Sequence, residues 1–437
     1  MEDGKFAAAA RDLAELSMLL VRHLGGHHHH REEDEEETRP AARPTNMAFS
    51  PMSLHAILSL LAAGATGAVR EQIVSFLGPA GEHAHEALAS KAISSVLSIL
   101  GNDDDVGEVD DDEEAPTPPP EVRCAMGIWV ESSSLVLKPA FAAMAGSKYS
   151  AEARAVSFRK NTAQARAEIN EWFNSKTGGH VQSLLTESSL ISASTLVVLA
   201  NALYFRGYWY DYFLPEMTRD GSFHISPGRE VTLPFMEGNE LHARMQIGCH
   251  PGFKVLLMPY AAGMCQYDRK FSMYIYLPDD RDGLPGMVRE LSFLHGDDVV
   301  PAQRVLVGEL RVPRFQVSLK AELSRLLAEL GLDLTLLRPA GDSFSEMVAP
   351  LAEAEDDDDA MLPPMGVPSI VHQCSVQINE SGTVAVAATA LEIIGFSAMD
   401  AAPEPVVDFV ADHPFLFFIE EDRSRLLVFA GQVVDPS

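Results

Sequence analysis

The sequence predicts an α+β fold in a single domain. Apolar residues recur at helical spacing through the first part of the chain, β-rich runs crowd the second, and no internal repeat or linker divides the two. A wound parallel sheet would instead alternate the two kinds of element along the chain.

Phe6, Ala9, Ala10, Leu13, Leu16 and Leu20 give residues 5–24 one apolar stripe, which predicts an amphipathic helix ending at Gly25-Gly26. Arg11, Asp12 and Glu15 interrupt that stripe, unlike the apolar heart of a cleaved secretory segment. Residues 46–78 read as a strand entry and two helices. Ser50-Pro51 is a helix-start signal, Leu54, Ile57, Leu58 and Leu61 form the stripe, and Gly64 and Gly67 punctuate it. His83 and His85 fall in a further helical stretch without a third ligand, and an exposed helix face is expected for them. Residues 122–130 alternate like a strand, and 163–173 are helical. Beyond 195, the runs 196–200, 253–258, 271–277, 305–310, 315–319 and 415–419 read as strands, with helices at 283–294 and 320–330.

The chain of 437 residues carries 33 basic and 63 acidic side chains, a formal net charge of −30. That balance excludes a general nucleic-acid binder and disfavours an anionic membrane surface. No stretch reaches the ~18 charge-free apolar residues of a membrane span. The runs 32–37, 103–114 and 353–359 hold 21 of the 63 acids. They are read as solvated, self-repelling loops at about 27–44, 101–121 and 352–366, with an acidic docking role as the other reading. The four histidines at 27–30 are expected to hold no functional metal. Cys124, Cys249, Cys265 and Cys374 form no CxxC, so free core thiols in a reducing compartment are expected. A cytoplasmic or nucleocytoplasmic location follows, with extracellular release by another route left open.

No GxSxG, GxxxxGK[ST] or HExxH pattern occurs. The chain is therefore not expected to be an enzyme or to need a cofactor. The unusual segment is 380–407, ESGTVAVAATALEIIGFSAMDAAPEPVV. Thr383, Ala385, Ala387 and Thr389 would share one face of a strand, with Val384, Val386 and Ala388 on the other. Gly395, Pro403 and Pro405 do not suit a central strand. Composition leaves two readings: a future strand followed by an exposed loop, or an edge strand with a tail.

Glu380, Gly382, Thr383, Ala385, Ala387, Ala388 and Thr389 resemble the hinge of the serpin family. VDFVADHPFLFFI at 407–419 resembles its C-terminal signature as written in plants, and GQVVDP at 431–436 its plant C-terminus. NMAFSPMSLHAILSLLAAGATGAVREQIVSFL at 46–77, LANALYFRGYWYDYF at 199–213, FSMYIYLP at 271–278 and VPRF at 312–315 resemble further segments of the family. The resemblance is to plant serpins of the serpin-Z type and covers nearly the whole chain.

That resemblance implies about eight to nine helices around three β-sheets, with an exposed reactive-centre loop at about 380–407. It implies a monomer that inhibits a serine protease, or in the alternative a cysteine protease, as a suicide substrate. The protease cuts the loop, and the loop inserts into the main sheet before the acyl-enzyme hydrolyses. Family spacing places the cut bond between Phe396 and Ser397, with Met399 as the next candidate. An aromatic there suits a chymotrypsin-like pocket. Ser50, Ser53, Asn201 and His372 are implied as a polar cluster under the opening sheet, and Trp209 as the place where it first opens. The hinge departs from the family at Ser381, Val384 and Val386, and β-branched residues stiffen it. A non-inhibitory serpin that binds or stores is the rival reading.

Overall fold

The computed structural model describes residues 2–26, 45–94, 120–186, 191, 195–262, 270–291, 300, 302–333, 343–351, 369–383 and 405–437. The first part contributes α1 (Glu2–Leu24), β1 (Met47–Phe49), α2 (Pro51–Gly64), α3 (Gly67–Leu77), α4 (Glu82–Ala92), β2 (Glu121–Glu131), β3 (Leu135–Leu137), α5 (Pro139–Tyr149), β4 (Glu152–Val156) and α6 (Phe158–Lys176). Strands then dominate: β5 (Val197–Tyr208), β6 (Arg219–Ser226), β7 (Arg229–Glu237), β8 (Arg244–His250), β9 (Phe253–Pro259) and β10 (Phe271–Pro278). After α7 (Leu284–Glu290) come β11 (Val305–Pro313), β12 (Phe315–Glu322), α8 (Ser324–Glu329) and β13 (Val348–Pro350). The chain closes with β14 (Ser369–Asn379), β15 (Gly382–Thr383), β16 (Val406–Val410), β17 (Phe415–Glu421) and β18 (Leu426–Val433).

This is an α+β architecture with eight α-helices and three sheets among the described residues. A ten-stranded sheet runs β1-β18-β17-β10-β9-β8-β11-β7-β6, with β16 beside β11. A six-stranded sheet runs β12-β14-β15-β5-β2-β4, and β13 pairs β3. Helix α2 starts where Ser50 caps it, its side chain accepting from the Ser53 N–H at 3.2 Å, with Pro51 preset for the first turn. Nearly all of α2 is buried, because it packs against strands of both large sheets. A helix apolar on every side is stable only in such a place. A second, smaller core lies under α6, where Trp129, Phe158, Ile169 and Phe173 meet Val198, Ala200 and Ala202 of β5 and Val371 of β14.

Several expectations change. The helix expected at 320–330 shrinks to α8, because β12 pairs with β14 without a break from Phe315↔Ile378 to Glu322↔Val371. His83 is exposed as expected, but His85 is buried: its Nδ1 meets Nε2 of His55 at 3.1 Å and its Nε2 meets the Gly78 carbonyl at 3.1 Å. Among the three described cysteines Cys374 is buried, Cys124 partly so and Cys249 exposed, so Cys249 is not a core thiol. On β8 it shares a side with the buried Met245 and Ile247, but it is the last of that row, one residue from the strand's end. Glu380, Gly382 and Thr383, at the start of the segment expected as an exposed loop, are buried, and Val406 and Val407 at its end belong to β16. The acidic stretches 27–44 and 352–366 lie outside the described residues, as does 101–121 up to 119, and Glu121 at its expected end already opens β2.

Candidate functional site

Strands β5 and β14 run parallel and paired from Val198↔Ser369 to Tyr204↔Ser375. Beyond that point they part, and β15 fills the head of the gap. Gly382 and Thr383 pair antiparallel with Tyr208 and Gly207 on one side, and with Asn379 and Ile378 on the other. The root of the predicted hinge is therefore already a strand. Gly382 has φ +143°, and a Cβ there would lie 2.1 Å from the Gly207 carbonyl oxygen. Only glycine fits that approach.

Thr383 is fully buried, with its Oγ1 2.9 Å from Oη of Tyr260. Burial pushes the Tyr260 phenol up, so it stays a proton donor. Trp209 stacks on the Tyr260 ring, with centroids 4.5 Å apart, and its Nε1–H donates to the Asn379 carbonyl at 3.0 Å. The Trp209 N–H donates to the Ser381 carbonyl at 2.9 Å. Trp209 thus holds the chain at the turn from β14 into β15.

Glu380 sits one step above, buried, where Arg314 Nε donates to its Oε1 at 2.6 Å and Thr218 Oγ1 donates to the same oxygen. Arg314 is the single residue between β11 and β12, so the geometry of that turn aims it. Burial alone would push the Glu380 carboxyl up. Hydrogen bonds from Thr218 and Arg314 outweigh burial and hold the group below its ordinary range.

Lower on the seam, Ser50, Ser53, Asn201 and His372 meet and are all fully buried. The Ser50 N–H donates to His372 Nε2 at 3.2 Å, and His372 Nδ1–H donates to Asn201 Oδ1 at 2.9 Å. Asn201 Nδ2 donates to Ser53 Oγ at 3.0 Å, and that hydroxyl donates to the Ser50 carbonyl at 3.3 Å. Burial holds His372 down to about 4, and a second ring proton would point at the Ser50 N–H. Asn201 and His372 face each other in the register of β5 and β14, so the chain of bonds ties those strands to α2. Trp209 is not bonded to this cluster; it stands at the head of the seam.

The segment after α6 lies over the seam's outer face. His180 stacks on Tyr204 of β5 at 3.7 Å between ring centroids and 9° between planes. Lys320 of β12 reaches across to donate to the Ser183 carbonyl at 2.5 Å.

The structure brings together Ser50, Ser53, Asn201 and His372 as one group, and Glu380, Gly382, Thr383 and Trp209 as another. Ala385, Ala387, Thr389, Phe396 and Ser397 lie outside the described residues. The sequence reading assigned no role to Tyr260, Arg314 and Thr218. Arg314 stood in a quoted motif, and a buried acid at Glu380 demanded a cation, but nothing local paired the two.

A family model described as serpin (serine protease inhibitor) matches residues 36–436. Serpin-Z1B of Triticum aestivum is 38% identical over 403 residues, covering 91% of this chain and 92% of that one. Serpin-ZXA of Oryza sativa subsp. japonica is 38% identical over 395 residues, covering 90% of each. Among solved structures, Arabidopsis AtSerpin1 in its native stressed conformation superposes with a TM-score of 0.76 at 30% identity, covering 99% of this chain and 98% of that one.

Proposed function

The chain belongs to the serpin family, and on that premise we propose that it is a suicide inhibitor of a chymotrypsin-like serine protease. Cleavage at Phe396-Ser397 would free the segment from Val384 onward to continue β15 down the seam. The observation that carries this reading is the pairing of Gly382 and Thr383 between β5 and β14. The first rungs of the inserted strand exist before any cut.

The register supports a defined end point. Continued without a bulge, it sets Ala385, Ala387 and Thr389 on the buried face with Thr383. It sets Thr389 opposite Asn201 on one side and His372 on the other. Insertion that far breaks the Asn201–His372 hydrogen bond, and a small hydroxyl residue arrives where a polar partner is lost. Ladder bonds at ~1 kcal/mol net barely offset ordering at ~1–2 kcal/mol per residue. Relief of a stressed native state supplies the rest, in keeping with the conformation named for the Arabidopsis relative.

Val384 and Val386 favour the second reading, a non-inhibitory serpin that binds or stores. Their stiffness slows a hinge that must outrun deacylation. We place the protein in the cytoplasm or nucleocytoplasm as a monomer, with a cysteine protease as the alternative target. Chymotrypsin challenge on a denaturing gel decides. A covalent band that survives denaturant, with cleavage mapped to Phe396-Ser397, supports inhibition. Quantitative loop cleavage without that band supports the second reading.

A further inference from the structure

The described residues stop at Thr383 and resume at Pro405, and one stretch of surface joins those two points. Near Thr383, the Trp209 N–H donates to the Ser381 carbonyl, and Tyr210 is next in the chain. Asp211 follows, with Arg304 Nη1 3.6 Å from its Oδ2. Arg304 leads into β11, where Leu306 pairs with Val406 on one side and with Arg244 of β8 on the other. Three large apolar side chains stand exposed among the described residues, and two of them, Tyr210 and Val406, lie on this stretch at 62% each. Arg244 and Arg304 are exposed there as well. We propose that this stretch is a second docking surface for the attacking protease, with Tyr210 as its anchor.

The proposal rests on the reading of the chain as a target of a chymotrypsin-like enzyme, and adds where the two bodies meet. A protease that grips a segment rooted at both ends of this stretch is brought down onto the ground between the roots. A tyrosine standing there offers a large, rigid contact with only two side-chain torsions to order, and tyrosines are among the residues that dominate interfaces. Its footing is already ordered, which lowers the cost of using it. The Tyr210 N–H donates to the Pro259 carbonyl at 2.9 Å, and His242 Nε2–H donates to the Asp211 carbonyl at 3.1 Å. Arg244 and Arg304 each donate from Nη1 to the other's carbonyl, at 3.4 and 3.5 Å. The Tyr210 side chain itself has no hydrogen bond or ring contact among the described residues, so the fold does not depend on it. The surface fits a protease rim that is apolar opposite the tyrosine and carries carboxylate or carbonyl oxygens opposite the guanidinium groups.

Chymotrypsin is the probe, applied to the full chain. The readout is the second-order rate of attack, counted as covalent band plus cut loop, so that it holds whichever way the encounter ends. A missing covalent band bears on the proposed function, and the attack rate alone bears on this surface. Tyr210→Ala should slow attack about fivefold to thirtyfold through a weaker encounter, with the limiting rate at saturation unchanged. Tyr210→Phe should restore most of the rate. In both variants the melting temperature, the cut bond and amide exchange at Gly382 and Thr383 should match the wild type. With chymotrypsin whose catalytic serine is alanine, the amides of 209–211 and 304–306 should exchange more slowly in the bound state. The proposal is overturned if Tyr210→Ala is attacked at the wild-type rate. It is overturned if the rate falls together with faster exchange at Gly382 and Thr383, which would make Tyr210 a prop for the root of the segment. It is overturned equally if the inactive enzyme binds and leaves exchange at 209–211 and 304–306 unchanged, a readout that needs no variant of this chain.

Discussion

The hydroxyl oxygens of Tyr260 and Thr383 lie 2.9 Å apart inside the protein, 123 residues apart in the chain. Tyr260 follows β9 in the ten-stranded sheet, whereas Thr383 belongs to the six-stranded one, so this bond fastens the root of the loop to a second sheet. Tyr260→Phe leaves the Thr383 hydroxyl buried without that partner. Stability should fall by about 1–2 kcal/mol in urea unfolding, and the amides of 382 and 383 should exchange faster. Unchanged exchange at both amides would show that the pair does not anchor β15.

Thr383→Arg places a charge at a fully buried position. Keeping a guanidinium there would cost several kcal/mol of desolvation, so β15 should leave the sheet instead. Chymotrypsin should then cut the variant as a plain substrate, with no covalent band and no gain in melting temperature on cleavage. Complex formation at the wild-type yield would refute the part assigned to Thr383.

Acid should weaken the protein through its buried imidazoles. His372 is held down to about 4 by burial, against ~6.5 in the unfolded chain. The unfolded state therefore takes up the proton first. The stabilisation is complete above ~pH 6.5 and drains as pH falls toward 4, amounting to ~3 kcal/mol for this one residue. His242, held at about 4, and His55, at about 3, act in the same direction. The depressed Glu380 carboxyl acts lower, its contribution present above ~pH 4.3 and lost as pH falls through its folded value. Urea unfolding from pH 4.5 to 7 should show a positive slope that flattens by about one proton in His372→Gln. An identical slope in that variant would count against a neutral, buried His372.

The His180 ring rests on Tyr204, beside which Val386 would arrive as the inserted strand lengthens. Such a stack is worth ~0.5–1.5 kcal/mol beyond the area it buries. His180→Ala should ease the passage of the strand and raise the fraction of encounters that end in a covalent complex rather than a cut loop. A lower fraction in the variant would mean that the stack guides the strand instead of resisting it.

How far the fold was legible depended on the reach of each signal. Ser50-Pro51 and the stripe after it announced α2, and the β-rich run at 271–277 announced β10, because both signals are local. β15 has two residues and owes its existence to strands from elsewhere in the chain, so no pattern within it could reveal it. Arg314 and Glu380 stand 66 residues apart, and a charge at one says nothing of the other. His85 was open to a better reading. It shares a spacing of three, four and seven with the buried Leu88, Ala89 and Ala92, which marks the inner stripe of α4. The polar cluster followed from the family resemblance and not from the residues, since a lone serine or histidine in an apolar stretch carries no sign of its partners.

The chain contains three tryptophans. Trp129 and Trp172 meet edge to face under α6, with centroids 5.4 Å apart, and Trp209 stands alone against Tyr260 at the fork of the strands. Its indole N–H is engaged by the carbonyl of Asn379, the last residue before the turn into β15. Any withdrawal or advance of that turn must alter the surroundings of a single emitter, so replacing the other two with phenylalanine would leave an unlabelled optical gauge of how far the arm has travelled.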